Sequence, residues 1–303
     1  MSGNRFLSIG ECMIELSQAG DGLLRKGFAG DTFNTAWYAR AFLPDHWSVA
    51  YLTGLGDDAA SDEMRAFIEG AGVETDAIRT VPGRSPGLYM IHLKNGERSF
   101  SYWRETSAAK QLAADPEHLR NAIDASDTVY FSGITLAILS KTDRDALLSE
   151  LSQARNAGKN VVFDPNIRPR LWTDRETMLS AVTEGAKVSS IVMPSFDDEA
   201  THFGDKSVEE TATRYRDAGA ETVVVKNGEA GVTIVSENQN AFVPATLANA
   251  VIDTTSAGDS FNGAFLASYL NDGDALKAAA FGAKIASAVI GHHGALIEKN
   301  KLL

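Results

Sequence analysis

The sequence predicts an α/β fold in which helices flank a doubly wound, mostly parallel sheet. Strand-like runs alternate with helical runs through most of the 303 residues, and this alternation is typical of such sheets. Several strand-like runs are continuously apolar, for example Val223, Val224 and Val225, as expected for parallel strands buried on both faces. The predicted strands span residues 6–9, 48–53, 128–132, 160–164, 190–193 and 222–226.

The run 142–156 illustrates the helices predicted between these strands. Its apolar residues Ala146, Leu147 and Leu151 recur at helical spacing, and Gly158 follows as a natural residue for a helix end. No repeat or linker-like segment interrupts the chain, so we predict one domain over residues 1–303.

Composition limits the function classes. The net charge is −12, from 28 basic and 40 acidic residues, which argues against nucleic acid as a partner. An anionic substrate would need a local basic pocket. Cys12 is the only cysteine, and no apolar run approaches the roughly 20 residues that span a bilayer. With no signal-peptide pattern at the start, we expect a cytoplasmic protein without a membrane partner.

One region breaks the alternation of strands and helices. Residues 88–93 and 98–104 predict a β-hairpin that turns at Asn95-Gly96, a favoured pair for a tight turn. Tyr102 and Arg104 are two residues apart and therefore lie on the same face of their strand. The hairpin is either a lid over a pocket or an antiparallel edge of the main sheet.

The most informative segment is 253–266, where a loop of small and hydroxylic residues leads into a helix. Free backbone N–H groups at a helix start stabilise phosphate. Asp259 lies in the first turn, either as an ordinary N-terminal carboxylate or as a group that acts on a substrate.

This segment resembles the C-terminal signature of the ribokinase (PfkB) family of carbohydrate kinases over fourteen residues. The resemblance implies a ribokinase-like fold, with a small β-sheet lid formed by about residues 11–30 and 85–105, and the use of ATP and Mg²⁺. It also implies that Ala257, Gly258 and Asp259 form an anion hole through their N–H groups. Asp259 then becomes the catalytic base that accepts the proton of the substrate hydroxyl.

On the substrate side, the stretch 29–36 is similar to the family's N-terminal signature, although Asp31 and Thr32 depart from its commonest form. Asp31 and the hairpin strands look like those of the 2-keto-3-deoxygluconate kinases within the family, and Arg168 belongs to a run that resembles the family's Asp-x-Asn-x-Arg element. A phenol and a guanidinium on one strand face suit a sugar acid, since arginine pairs with carboxylates. The resemblance assigns substrate binding to Gly30, Asp31, Asn34, Tyr89, Tyr102, Arg104, Arg168 and Asp259.

On the nucleotide side, the resemblance covers a Lys-x-Gly strand end, an Asp-x-Asn-x-Arg element and a helix of small residues. Ser195 replaces the family's usual asparagine. The resemblance assigns ATP binding to Asn166, Arg168, Ser195, Lys226, Asn227, Gly228, Gly231, Ser256, Ala257, Gly258, Gly282 and Ala283. It implies that Glu199 acts on Mg²⁺ through water, and that Asp253 and Thr255 hold a monovalent cation such as K⁺.

The implied activity is transfer of the ATP γ-phosphoryl group to the 6-hydroxyl of 2-keto-3-deoxy-D-gluconate. The alternatives are a ketohexose (fructose) or nucleoside kinase of the same fold, and a non-catalytic sugar-acid sensor. A dinucleotide site at Gly54 and Gly56 is disfavoured because the third glycine of that motif is missing. We also expect a homo-oligomer formed through the lid, because unpaired strand edges need cover.

Overall fold

Strands and helices alternate along the chain in the computed structural model, which describes residues 4–20, 22–94 and 97–303. The strands are β1 (Asn4–Ile9), β2 (Met13–Gln18), β3 (Leu24–Ala29), β4 (Trp47–Leu52), β5 (Gly54–Leu55), β6 (Arg79–Thr80), β7 (Gly87–Lys94), β8 (Glu97–Trp103), β9 (Thr128–Ser132), β10 (Asn160–Asp164), β11 (Ile191–Val192), β12 (Thr222–Lys226), β13 (Val232–Ser236) and β14 (Asn240–Val243). The helices are α1 (Asp31–Phe42), α2 (Ala59–Gly70), α3 (Pro116–Asp124), α4 (Gly133–Ile138), α5 (Lys141–Asn156), α6 (Arg175–Lys187), α7 (Phe196–His202), α8 (Val208–Asp217), α9 (Ala257–Asp272) and α10 (Ala275–Val289).

The main sheet has eight strands in the described part of the chain, in the order β14-β13-β12-β11-β10-β9-β1-β4. The six strands from β4 to β12 run parallel, whereas β13 pairs antiparallel with both of its neighbours, β12 and β14. The predicted mostly parallel α/β sheet is therefore confirmed. All six predicted strands belong to it, although β11 is shorter than residues 190–193.

The apolar strands are buried by helices on both faces, as strand β12 shows. Val224 belongs to the apolar cluster that includes Phe261 and Phe265 of α9. Val223 and Val225 belong to the cluster on the opposite face, which includes Leu147 of α5. Because neighbouring side chains point to opposite faces, a continuous valine run is needed to fill both layers.

A second sheet of four strands, in the order β3-β2-β7-β8, stands apart from the main sheet. Strands β7 and β8 form the predicted hairpin, with Tyr89 directly opposite Tyr102. The predicted turn at Asn95-Gly96 lies outside the described residues. Since the hairpin pairs with β2, it is not an edge of the main sheet. We call these four strands the small sheet.

Close backbone approach explains several glycines. A Cβ atom on Gly30 would lie 2.0 Å from the carbonyl oxygen of Glu11, and one on Gly56 would lie 1.7 Å from that of Arg84. Gly54 begins the short strand β5, where a Cβ atom would lie 2.3 Å from the Ala108 carbonyl oxygen. Gly54 and Gly56 thus have a structural explanation without a dinucleotide.

Candidate active site

The candidate active site is centred on the N-terminus of α9. Ser256 precedes the helix with a φ of 63°, in the left-handed region, so the chain turns sharply just before the first turn of α9. Such groups lack intrahelical acceptors and attract anions. The Ala257 N–H donates to Thr254 O at 3.3 Å, so an anion would compete with this long hydrogen bond.

Asp259 lies in this first turn and is partly buried. Its Oδ2 accepts a hydrogen bond of 2.8 Å from Nδ2 of Asn34 on α1. Burial raises the pKa of Asp259 to about 7, the charge of Asp31 raises it further, and the Asn34 hydrogen bond opposes the shift. A carboxylate of this pKa can accept a proton near neutral pH.

Asp31 and Asn166 meet beside Asp259. The Asn166 Nδ2 donates to Asp31 Oδ2 at 2.7 Å, and Asn166 has a φ of 33°. Burial raises the pKa of Asp31. The contact of Asn166 with the ATP phosphates stays a prediction, and the structure adds a hydrogen bond from its amide to Asp31.

The small sheet presents its aromatic and basic residues near Glu11. The rings of Tyr89 and Tyr102 lie 5.9 Å apart, and Arg104 stacks over Tyr102 at 5.8 Å. The Arg104 guanidinium donates to Glu11, whose other oxygen accepts from Ser107 Oγ at 2.6 Å. In the part of the chain described, the buried Arg104 Nε has no hydrogen-bond partner.

Arg168 approaches from the loop after β10. Its side chain is 52% exposed, and its Nη1 lies 3.7 Å from Asp198 Oδ2. Exposed ion pairs of this kind are weak, so a ligand anion can compete for the guanidinium.

Lys226, at the end of β12, is buried between two side chains. Its Nζ donates to Asp164 Oδ2 at 3.0 Å and to Asn262 Oδ1 at 3.1 Å. The sequence analysis missed Asp164 and Asn262 because each reads locally as part of a buried strand or helix.

A cavity of about 460 Å³ opens beside the α9 N-terminus. Eight of the residues assigned to ATP line it: Ser195, Lys226, Asn227, Gly228, Gly231, Ala257, Gly258 and Ala283. Apolar residues without a recognisable motif complete the wall, among them Leu247, Val251, Phe261, Ala286 and Ile290. Two of these apolar residues are strongly exposed, Leu247 at 79% and Val251 at 61%.

Gly282, Ser256, Asn166 and Arg168 do not line this cavity. A Cβ atom on Gly282 would lie 2.9 Å from the ring of Phe261, so this glycine permits packing of α10 on α9. Its contact with ATP stays a prediction. Ser256 Oγ is buried without a hydrogen-bond partner among the described residues.

The expected action of Glu199 on Mg²⁺ is also corrected. Glu199 is fully buried, and its carboxylate oxygens accept hydrogen bonds of 2.7 Å from Arg214 and 3.0 Å from Tyr215. Burial raises its pKa to about 7, against the effect of Arg214. The neighbouring Asp198 faces Arg168, and Asp197 lines the cavity. These two carboxylates are therefore better placed than Glu199 to meet the phosphates of a nucleotide in the cavity.

Asp253 and Thr255 shape the loop before α9. Asp253 Oδ1 accepts from the Thr255 N–H and Oδ2 from the Gly294 N–H, both at 2.9 Å. Among the described residues, no three His, Cys, Asp or Glu side chains group as metal ligands. The helices described there are also too short or too polar to cross a membrane.

Known proteins share this architecture. Residues 4–301 match the model of the pfkB family of carbohydrate kinases. The 2-dehydro-3-deoxygluconokinase of Dickeya dadantii (strain 3937) is 42% identical, covering 98% of each chain. That of Escherichia coli (strain K12) is 41% identical, covering 97% of each.

The crystal structure of 2-dehydro-3-deoxygluconokinase from Thermotoga maritima has the same fold. It superposes with a TM-score of 0.84 at 23% sequence identity, covering 99% of this chain and 98% of that one. The match to the family model and the alignments at more than 40% average identity thus extend over nearly the whole chain. The chain belongs to the pfkB family of carbohydrate kinases.

Proposed function

We propose that this protein transfers the γ-phosphoryl group of ATP to the 6-hydroxyl of 2-keto-3-deoxy-D-gluconate, giving the 6-phosphate. The observation that carries the proposal is the position of Asp259, in the first turn of α9 and hydrogen-bonded to Asn34. The names of the two relatives support the acceptor, since 2-dehydro and 2-keto denote the same group.

In the proposed reaction, the 6-hydroxyl oxygen attacks the γ-phosphorus and its proton passes to the Asp259 carboxylate. The bond from the γ-phosphorus to the bridging oxygen breaks, and ADP leaves. Asn34 holds the carboxylate in place, so little reorganisation is needed. The N–H groups of α9 stabilise charge on the transferring group.

The site suits a sugar acid better than a neutral sugar. The Arg104 guanidinium pairs with Glu11, and its Nε lacks a hydrogen-bond partner among the described residues, so its donors are not all used within the protein. Arg168 is exposed and weakly paired. We propose that both guanidinium groups contact the substrate carboxylate, while Tyr89 and Tyr102 contact its hydroxyl groups. The small sheet then acts as the lid of a single kinase domain.

The donors near the cavity fit Mg²⁺, which prefers carboxylate and water oxygens. Asp197 and Asp198 would hold the ion through water, with Glu199 remaining structural. When bound with ATP, the ion neutralises charge on the phosphates. The residues that would contact the nucleotide line the cavity: Lys226, Asn227, Gly228, Gly231 and Ala283.

Three finer points belong to the same proposal. K⁺ would bind at the loop of Asp253 and Thr255. Kinase activity compared between potassium and sodium buffers tests this point.

A homo-oligomer would form through the small sheet. The single Cys12, which is buried, suits a reducing cytoplasm.

The proposal is tested by ADP release with Mg·ATP. Acceptors are 2-keto-3-deoxygluconate, 2-keto-3-deoxygalactonate, gluconate, fructose, ribose and adenosine, with wild type, Asp259→Asn and Arg104→Ala. We expect turnover confined to ketodeoxy acids, a raised KM in Arg104→Ala, and loss of turnover in Asp259→Asn. Turnover of fructose or adenosine that Arg104→Ala leaves unchanged would overturn the acid assignment. Ligand-induced stabilisation without ADP release would indicate a sensor.

A further inference from the structure

We propose that Asn262 is a positioning residue, which fixes the ammonium group of Lys226 where it contacts the transferring phosphoryl group. The proposal rests on the proposed phosphoryl transfer and adds to it a residue that would not itself touch ATP or the sugar acid.

The first step concerns how Lys226 is held. Its side chain is only 10% exposed, and a buried lysine needs a counter-ion. Asp164, at the end of the neighbouring strand β10, supplies that charge at 3.0 Å. A single ion pair leaves the ammonium free to rotate around Asp164. The second acceptor, Asn262 Oδ1 at 3.1 Å, removes this freedom.

The second step concerns where the ammonium points. A Cβ atom built on Gly258 would lie 3.8 Å from Lys226 Nζ, so the ammonium lies beside the anion-binding turn of α9. Lys226, Ala257 and Gly258 all line the same cavity. An ammonium group has three N–H donors. Asp164 and Asn262 accept two of them, which leaves a third for a phosphoryl oxygen.

The third step concerns why the residue is an amide. Asn262 is fully buried on α9, four residues after Gly258 and so on the same helix face. Its Nδ2 donates to Asp164 Oδ2 at 2.6 Å and to the Tyr130 hydroxyl at 3.1 Å, while its Oδ1 accepts from Lys226. Leucine can do neither. Aspartate would place a second carboxylate against Asp164 and would neutralise the ammonium charge that the phosphoryl group needs.

The test is a double-mutant cycle on kcat with Mg·ATP and 2-keto-3-deoxygluconate, using Asn262→Leu, Lys226→Met and the double variant. We expect Lys226→Met to lower kcat about 100-fold, as for loss of a group that stabilises transition-state charge. Asn262→Leu should lower kcat about tenfold, in the range of residues that orient a functional side chain. The KM for the sugar acid should stay within about twofold.

The cycle separates positioning from general damage. If Asn262 acts through Lys226, the double variant has the kcat of Lys226→Met alone. A further tenfold loss in the double variant, or an unchanged kcat in Asn262→Leu, would overturn the proposal. Wild type that does not phosphorylate the sugar acid would overturn the proposed function as well, so the two failures are distinguishable.

Two further variants guard against misfolding. Asn262→Asp keeps the size of the side chain and should also lower kcat about tenfold. Phe265→Leu alters a fully buried core residue of the same helix. It is expected to lower the melting temperature, but kcat measured at temperatures well below that melting temperature should not change. If Phe265→Leu lowers kcat as much as Asn262→Leu does, the loss reflects stability and the proposal fails.

Discussion

At the scale of single residues, the surroundings of Asp259 favour its protonated form although a base must be ionised. Burial and the nearby Asp31 raise its pKa to about 7, while Asn34 and Lys226 oppose the shift.

Glu199 shows how burial alters a residue's role. Its carboxylate was expected to act on Mg²⁺, but in the fold it accepts hydrogen bonds from Arg214 and Tyr215.

The raised pKa predicts a pH dependence of kcat/KM. Below pH about 7, kcat/KM should fall about tenfold for each pH unit, because only the ionised Asp259 accepts the proton. Above this value kcat/KM should level off. Initial rates between pH 5.5 and 8.5 at saturating Mg·ATP test this; a flat profile would show that another group limits the reaction.

The same pKa predicts how Asp259→Asn changes stability. The folded-state pKa of about 7 exceeds the ordinary value of 3.8, so ionisation destabilises the fold increasingly as the pH rises from about 4 to 7. Asparagine carries no such charge. The melting temperature of Asp259→Asn minus that of wild type should therefore be more positive at pH 8 than at pH 5. An equal difference at both pH values would contradict the shift.

At the scale of elements, α9 serves both the core and the site. Its first turn faces the cavity, whereas Gly263 packs against α1, where a Cβ atom would lie 2.6 Å from the Thr35 carbonyl oxygen and 2.7 Å from Tyr38. Two glycines on α9 thus meet different requirements: Gly258 in the first turn lines the cavity, whereas Gly263 allows close packing against α1.

This contrast predicts opposite outcomes for two alanine substitutions. Gly258→Ala has room for its methyl group in the absence of ligand, and alanine favours helix by up to about 1 kcal/mol. Stability should be kept or increased, while kcat falls at least about tenfold because the methyl group occupies the phosphoryl position.

Gly263→Ala is the matched control for that experiment. Its methyl group would overlap the α1 backbone, and overpacking of this kind costs about 1–3 kcal/mol. Thermal unfolding and kcat measured together separate the cases. A destabilised Gly258→Ala with normal kcat would contradict the assignment of the anion site.

At the scale of the whole molecule, the two sheets contribute different residues to the candidate active site. The main sheet brings Asp164, Lys226 and the start of α9 together, and the small sheet supplies Tyr89, Tyr102 and Arg104. The small sheet has β3 and β8 as its edges in the described residues. Leu24 on one edge, and Phe100 and Trp103 on the other, are 45%, 41% and 56% exposed.

These edges predict self-association. Since exposed apolar edges require cover, we expect a dimer or larger oligomer at micromolar concentration, and Trp103→Lys should shift it towards monomer. Light scattering coupled to size-exclusion chromatography measures the mass. A monomeric mass for the wild type at micromolar concentration would contradict the predicted self-association.

Much of this architecture follows from local sequence, and some of it does not. The order of strands and helices, the apolar β12 and the small-residue start of α9 are visible in the sequence, because periodicity and turn chemistry are local properties. The wall around Leu247 and the strands β2 and β3 carry no comparable signal. The ATP-site residues Ser195, Lys226, Gly228 and Gly231 were predicted from a family resemblance rather than from spacing, and Asp164, Asp197, Asp198 and Asn262 were not predicted.

By itself, the sequence determined the fold class and the segment that contains Asp259. Only the tertiary structure decided that Asn34 bonds to Asp259 across 225 residues of chain, that Asn262 fixes Lys226, and that Glu199 is buried while Asp198 faces Arg168. The reason is physical. Local patterns determine which segments become helices and strands, but the order of strands in a sheet decides which of their ends meet.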